Sequence, residues 1–357
     1  MRPRSTSRPR QYLAENTTTT SRQFGTPVAR MREVRVDARP RLHLGLLSLH
    51  EGAVRKNGGI GFAVEGPVAE IEIREGSRLI VHDDRPLPMA PGERDLLSEL
   101  LEQFALDHDM ARRGAIRISG CMRTHVGMGS ATAIRLGAME ALALLNEAHI
   151  ATDRLVAASG RGGTSGIGIN TYFSGGLVCD LGRPSDGSPY MPSSRTMPIR
   201  LPLSLPIVPM PPWPILLCVP RSIAPKTQQE EIAFFERTTP LPASASFEAS
   251  YVALFEIYAA AAESDYHAFC RGVMQMQATA WKRAERAEYG EPLRALSMNL
   301  LDAGADCVGM SSLGPMLFCF AEPTRIAAIA GRAKALNCDV YRTSPANAGR
   351  SVAKTDA

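Results

Sequence analysis

From residue 34 the chain alternates short extended runs with turns. Residues 34–38, 42–49, 68–74 and 79–82 are rich in β-branched side chains, alternate apolar and polar positions in part, and are punctuated by Gly, Pro and Asp, which predicts strands. Residues 93–108 place Leu96, Leu97, Leu100, Leu101, Phe104 and Leu106 at helical spacing behind Pro91-Gly92, so they form an amphipathic helix. A strand at 116–119 and a loop at 121–129 lead into a helix over 130–148. That helix is apolar almost all round, which predicts burial between a sheet and other elements. A glycine-dense loop over 160–168 precedes a strand at 176–181. Residues 182–214 carry Pro, Ser and Arg with little pattern, as a linker or as a long functional loop. Beyond a strand at 215–219 come helical runs over 227–238, 246–262, 264–286 and 291–304, a segment 307–320 ending in a strand from Met316, a helix near 323–336 and a strand at 339–343.

With 357 residues, 45% hydrophobic and 21% charged, this is the composition of a globular chain too long for one small domain. The net charge of +4 is a property of one end. Residues 1–32 hold seven Arg against Glu15, so of the 40 basic and 36 acidic residues, 33 and 35 remain for the body. A nearly neutral body lacks the clustered Lys/Arg of a nucleic-acid face. The tail has no apolar periodicity and is expected to be disordered over 1–32; its Arg- and Ser/Thr-rich character also suits an organellar transit peptide. No apolar core of a secretory signal is visible, and the apolar stretch 201–220 contains seven prolines, which excludes a spanning helix. A cytoplasmic protein is expected. The seven cysteines lie far apart with apolar neighbours and no C-x-x-C pair, as reduced core residues do. Basic charge rests on 35 Arg and only five Lys.

Five segments carry chemistry. Thr124–Thr132 lies between a strand and a helix, and its glycines let backbone N–H groups and the helix N-terminus converge on an anion such as phosphate, or simply make a tight capped turn. In Gly160-Arg-Gly-Gly-Thr-Ser-Gly-Ile-Gly, five glycines surround Arg161, Thr164 and Ser165, a donor set for a second anion. Arg41 and His43 share one side of a strand, with Asn57-Gly-Gly as a turn downstream. Gly309-Met-Ser-Ser-Leu-Gly-Pro offers hydroxyls and amides without charge. Lys226 heads a helix as a solvated charge or as a mobile cation closing on a substrate; Glu230 and Glu231 beside it suit first-turn dipole partners.

Arg41-Leu-His-Leu-Gly-Leu-Leu, Asn57-Gly-Gly-Ile-Gly, His125-Val-Gly-Met-Gly-Ser, Gly160-Arg-Gly-Gly-Thr-Ser-Gly-Ile-Gly-Ile and Gly309-Met-Ser-Ser-Leu-Gly-Pro, in this order, resemble the β-ribofuranosylaminobenzene 5′-phosphate synthase family of the GHMP superfamily over residues 34–350. The second glycine loop is the most specific part. The resemblance implies an α+β fold: a ribosomal-S5-domain-2-like α/β domain over 33–200, which binds phosphate, and a helical, ferredoxin-like domain over 201–350. It implies a homodimer and a ribosyltransferase that joins the anomeric carbon of phosphoribosyl pyrophosphate, with Mg²⁺, to an aromatic or heteroaromatic acid, releasing pyrophosphate and CO₂.

Ala131 and Ala133 stand where the 4-aminobenzoate branch is expected to carry Gly and Gln. With the Arg-over-Lys bias of a GC-rich coding genome, this tilts the acceptor toward an aminopyrazole dicarboxylate of formycin-type C-nucleoside biosynthesis; 4-aminobenzoate or 4-hydroxybenzoate is the alternative. In this scheme His125, Gly127, Gly129, Ser130, Ala131 and Thr132 hold the diphosphate, and Arg161, Gly162, Gly163, Thr164, Ser165, Gly166 and Gly168 the phosphate. Arg41 and His43 take the acceptor carboxylate, with Asn57, Gly58, Ser311 and Ser312 as further acceptor contacts. Lys226 is a catalytic cation, and Asp180 serves ribose or magnesium unless it caps a turn. The rival enzyme is an ATP-dependent small-molecule kinase, and the third option a non-catalytic ligand-binding module.

Overall fold

The computed structural model describes residues 32–195 and 200–355; the basic tail, apart from Arg32, lies outside them. The first part runs β1 (Glu33–Ala38), β2 (Arg41–Ser48), β3 (Arg55–Ala63), β4 (Ala69–Arg74), β5 (Leu79–Asp83), α1 (Pro91–Asp107), β6 (Gly114–Gly120), α2 (Ser130–Leu145), α3 (Thr152–Ser159), α4 (Ile167–Ser174), β7 (Leu177–Asp180) and β8 (Arg183–Pro184). The rest runs β9 (Ile215–Pro220), α5 (Gln228–Thr238), α6 (Ala243–Tyr251), a π-helical segment (Val252–Tyr258), α7 (Ala259–Glu263), α8 (Tyr266–Ala278), α9 (Ala280–Ala287), α10 (Gly290–Asp302), β10 (Cys307–Met310), β11 (Leu317–Phe320), α11 (Ile326–Ala335), β12 (Cys338–Thr343) and β13 (Ser351–Thr355).

Three sheets result, ordered β13-β1-β4-β6-β5, β2-β3-β7 and β10-β11-β9-β12. All named pairings are antiparallel except β5 with β6. The helix expected to be buried is buried: in α2, Leu136, Ala138, Met139, Ala141 and Leu142 have no exposed surface. Gly137 lets α2 sit on the first sheet, since a Cβ there would stand 2.8 Å from Ile71 Cδ1. Each buried Leu or Met contributes roughly 1.5–3 kcal/mol, so this helix holds its own N-terminus rigidly in place.

Two expectations are corrected. Asn57-Gly-Gly is inside β3, where Asn57 and Gly58 take φ of +64° and +75°; a Cβ on Gly58 would lie 2.7 Å from the Asp180 carbonyl oxygen of the adjoining strand end. Close backbone approach, not chain reversal, is what glycine serves there. The helix over 264–286 is broken at Thr279, whose extended backbone redirects α9 and whose hydroxyl donates to the Met276 carbonyl at 2.8 Å. That turn drives Trp281, Lys282 and Glu285 inward. Within 182–214 the long-loop alternative describes residues 188–193: they run as a strap over the second glycine loop. It is tied down by Lys56 Nζ donating to the Ser188 carbonyl at 2.6 Å and by Tyr190 Oη donating to the His50 carbonyl at 2.8 Å.

The seven cysteines are unpaired and, except Cys121, buried, as their neighbours predict. Among the described residues no helix is long and apolar enough to cross a membrane.

Candidate active site

Strand β2 is fastened to two of the loops singled out in the sequence. Arg41 donates its backbone N–H to the Met128 carbonyl at 3.0 Å and its Nη1 to the Gly127 carbonyl at 2.6 Å. The Ser311 hydroxyl donates to that same Gly127 carbonyl at 2.7 Å while accepting the His43 N–H at 3.0 Å. Ser312 N–H donates to the His43 carbonyl at 2.9 Å, and Met316 N–H to the Val126 carbonyl at 3.1 Å. Ser311 is thus a fully buried strut whose hydroxyl is already used both ways, which corrects its assignment as an acceptor contact.

The glycines of the first loop follow from this knot. Gly127 has φ of +98° and a Cβ there would fall 2.3 Å from the Ser311 carbonyl; Gly129 has φ of +78° and lets the Arg41 side chain cross it, with only 2.9 Å from an added Cβ to Arg41 Cγ. Gly127→Ala is therefore expected to destabilise the protein by at least about 2 kcal/mol, from positive-φ strain and collision together. Thermal unfolding checks this, and a shift within the error of the wild type would mean the knot gives way freely.

The second glycine loop is held from beneath. Asp180 Oδ2 accepts from the Ser165 hydroxyl at 3.1 Å and the Gly166 N–H at 3.0 Å, and Oδ1 from the Gly182 N–H at 2.9 Å. Burial pushes its carboxyl up to about 7 despite these donors. Fully buried and absent from the cavity lining, Asp180 caps the turn to Gly182, the second of its two expected roles, and positions the loop rather than meeting ribose or magnesium. Ser165 spends its proton on Asp180, so its 3.3 Å contact with His43 requires His43 Nε2–H as donor. Burial, and after it Arg41 and Lys282, hold the His43 imidazole well below its usual range, so it is neutral at pH 7. The order His–Ser–Asp lacks an acid that orients the histidine, and it is not an acyl-transfer triad. Asn57 Nδ2 at 3.4 Å and Arg183 Nε at 3.2 Å both donate to the Gly163 carbonyl. Asn57 and Gly58 accordingly support the loop from behind and do not line the cavity, contrary to their expected acceptor role.

The cavity between these loops is lined by Arg41, His43, Thr132, Arg161, Gly162, Thr164, Ser165, Gly168 and Ser312 among the residues singled out in the sequence. Arg161 donates Nε to the Thr132 hydroxyl at 3.0 Å and Nη2 to the Ser193 hydroxyl of the strap at 2.8 Å. Burial brings both guanidinium groups down to about 10; Arg161 adds to the effect on Arg41, and Arg135 to that on Arg161. Both remain cationic at neutral pH. A cavity lined by two half-buried cations is prepared for anions.

Other expected contacts stand back. Gly127, Gly129, Ser130, Ala131, Gly163 and Gly166 shape the two loops without lining the cavity, and Ala131 is exposed. His125 is half exposed at φ of +60° and pairs with Glu93 of α1. Lys226 is held by Glu230 at 3.4 Å and Glu288 at 3.8 Å, its ammonium 5.5 Å from the Tyr289 ring centre, which corrects its role as a closing cation.

Sequence reasoning missed residues that do line the cavity: Leu46, Phe235, Leu313, Ser193, Glu231 and Glu285. Glu230 and Glu231 both lie in the first turn of α5, as the dipole reading expects; Glu230 closes the capping box with Thr227, and Glu231 lines the cavity as well. Glu285 is bound by Lys282 at 2.5 Å and by Trp281 Nε1 at 2.9 Å, and Lys282 Nζ also donates to the Met310 carbonyl at 2.8 Å and the Ser312 carbonyl at 3.0 Å. The rarity of lysine in this chain was the one usable signal.

No family model matches the sequence. Among curated proteins the chain is similar to the β-ribofuranosylphenol 5′-phosphate synthase of Archaeoglobus fulgidus, 29% identical over 284 residues that cover 79% of this chain and 86% of that one. It is similar as well to the protein of the same name in Methanothermobacter thermautotrophicus, 27% identical over 294 residues, 80% of this chain and 88% of the other. Among solved structures it resembles a homoserine kinase from Cytophaga hutchinsonii (TM-score 0.63, 17% identity, 90% and 97% coverage). It also resembles the L. major mevalonate kinase (TM-score 0.62, 14% identity, 88% and 96% coverage). These establish the expected α+β GHMP fold. Both relatives are named for a ribosylated phenol, and neither name contains a pyrazole. Neither Ala131 nor Ala133, on which the expectation of an aminopyrazole dicarboxylate partly rests, lines the cavity.

Proposed function

Because this chain is a homologue of the β-ribofuranosylphenol 5′-phosphate synthases built on the GHMP fold, we propose that it is a decarboxylating C-ribosyltransferase that couples phosphoribosyl pyrophosphate to 4-hydroxybenzoate. The observation that carries this reading is the convergence of two half-buried guanidiniums, Arg41 and Arg161, on one cavity that is walled elsewhere by Leu46, Phe235 and Leu313. Two charged ends and a flat apolar middle are what the two substrates present together.

Arg161 and Thr132, at the N-terminus of α2, hold the phosphate-bearing side, where the helix dipole adds to their charge. Arg41 holds the acceptor carboxylate, and Phe235 with the two leucines bounds the ring. Departure of diphosphate leaves positive charge on the anomeric carbon, and the ring carbon bearing the carboxylate attacks it. Loss of CO₂ then restores aromaticity. Catalysis rests on bringing the two substrates into contact and on donors aimed at the departing anion; one such donor is worth roughly 3–4 kcal/mol. Among the described residues no group of three or more His, Cys, Asp or Glu could hold a metal. The chain's own residues do not make a magnesium cage, so we assign Mg²⁺ to the diphosphate oxygens. A cytoplasmic homodimer is part of the same proposal.

The test is mass spectrometry of reactions containing phosphoribosyl pyrophosphate, Mg²⁺ and 4-hydroxybenzoate, 4-aminobenzoate or a pyrazole dicarboxylate, with ATP in a parallel arm. Equal amounts of CO₂, pyrophosphate and the ribosylphenol phosphate are expected with 4-hydroxybenzoate. ADP formation without pyrophosphate release would make the protein a kinase, and tight binding of phosphoribosyl pyrophosphate without CO₂ from any acid would make it a binding module.

A further inference from the structure

The cavity contains two carboxylates, and they are in different states. Glu285 is fully engaged by Lys282 and Trp281. Glu231 lines the same cavity, yet its side chain makes no hydrogen bond or ion pair among the described residues. It stands one helical turn before Phe235 on α5, so a carboxylate and an aromatic wall face the cavity from one helix face. An unpartnered carboxylate in a site otherwise built for anions needs a ligand that brings a proton to it.

We propose that Glu231 is the general base that takes the proton from the acceptor's 4-hydroxyl as the carbon–carbon bond forms; this rests on the acceptor reading above. An acceptor that presents its carboxylate to Arg41 has its remaining polar group at the far end of the ring. The Glu231 carboxylate removes that hydroxyl proton while the O–H pair becomes the C=O of a cyclohexadienone. The ring carbon bearing the carboxylate uses its π pair to bond the anomeric carbon, and the bond to diphosphate breaks with its pair on the leaving oxygen. The C–CO₂⁻ bond then breaks, its pair restores the ring, the ring oxygen retakes the proton from Glu231, and CO₂ leaves. No proton is gained or lost overall.

The charged groups facing Glu231 are Arg161, His125 and Arg41, which favour its ionised form, and Glu285, which opposes it; burial outweighs the cations and raises its carboxyl above the usual range. A raised carboxylate is a stronger base, and it is active only above that raised value, so wild-type kcat/KM falls as pH drops through it.

Glu231→Gln is expected to lower kcat for 4-hydroxybenzoate about 10²- to 10⁴-fold, leave KM for phosphoribosyl pyrophosphate within about twofold, and lose the acidic limb of the pH profile. Because Glu231 has no partner to strand, the variant should fold; Glu231→Asp serves as a second probe and should recover part of the rate. The deciding measurement uses 3,5-difluoro-4-hydroxybenzoate, whose phenol is ionised near neutral pH and needs no base. Glu231→Gln should turn this substrate over within about tenfold of wild type. An equal loss with both phenols would overturn the proposal, as would a defect that excess Mg²⁺ repairs, which would assign Glu231 to the metal. If wild type releases no CO₂ from either phenol, the acceptor reading itself fails, which is a separate result.

Discussion

Arg161→Ala is expected to reduce kcat/KM for phosphoribosyl pyrophosphate by about 10³-fold or more while moving the thermal midpoint little. The loss follows from removing a half-buried guanidinium at the phosphate-bearing side of the cavity; charge-assisted contacts of this kind are worth roughly 3–4 kcal/mol in a water-poor site. The small stability effect has a separate cause. Burial, and after it the neighbouring Arg135, brings this guanidinium down to about 10, so the fold opposes its charge by something on the order of a few kcal/mol. Truncation relieves that opposition while it forfeits the hydrogen bonds to Thr132 and Ser193, and the two changes nearly offset. Steady-state kinetics and calorimetry on the same preparation separate them. A midpoint lowered by many degrees with activity retained would make Arg161 a structural residue of the strap.

Lys282→Met should do the reverse, costing about 3–5 kcal/mol of stability because it leaves Glu285 buried and unpaired. Lys282 has no exposed surface and satisfies the Met310 and Ser312 carbonyls as well as Glu285. For a chain of this size the thermal midpoint should fall on the order of 10 °C. The double variant Lys282→Met with Glu285→Leu removes both charges and should recover part of the loss, but not all, since Trp281 Nε1 and the two carbonyls lose their partner. Ser312 lines the cavity, so the single variant should also lose turnover at temperatures where it remains folded. A loss below about 1 kcal/mol would show that this end of α9 relaxes to let water reach Glu285.

Residues that reach the cavity through local backbone geometry were legible in the chain. Arg41 and His43 share a strand face by the two-residue period, and Arg161, Thr164 and Ser165 sit in a loop whose glycines have no other purpose; all five reach the cavity. Asn57 and Ser311, read as acceptor contacts, brace loops instead, and Asp180 takes the turn-capping role that was one of its two readings. A buried polar side chain that braces a loop and one that meets a ligand have the same local sequence, and only the partners tell them apart.

The sequence alone determined what short-range physics controls: the buried α2, the strongly periodic strands and helices though not β3, α3, α4, β8 or β13, the burial of all the cysteines but Cys121, and the glycine loops themselves. Glycine preference and hydrophobic period act over a few residues, so they can be read without the fold. Tertiary structure alone decided that α9 turns at Thr279 to bury Lys282 against Glu285, that Lys226 is tied to Glu288, and that α5 turns Glu231 and Phe235 toward Arg41 and Arg161. Desolvation and charge pairing depend on what lies across space, and the residues concerned here are as much as 190 positions apart, as Arg41 and Glu231 are.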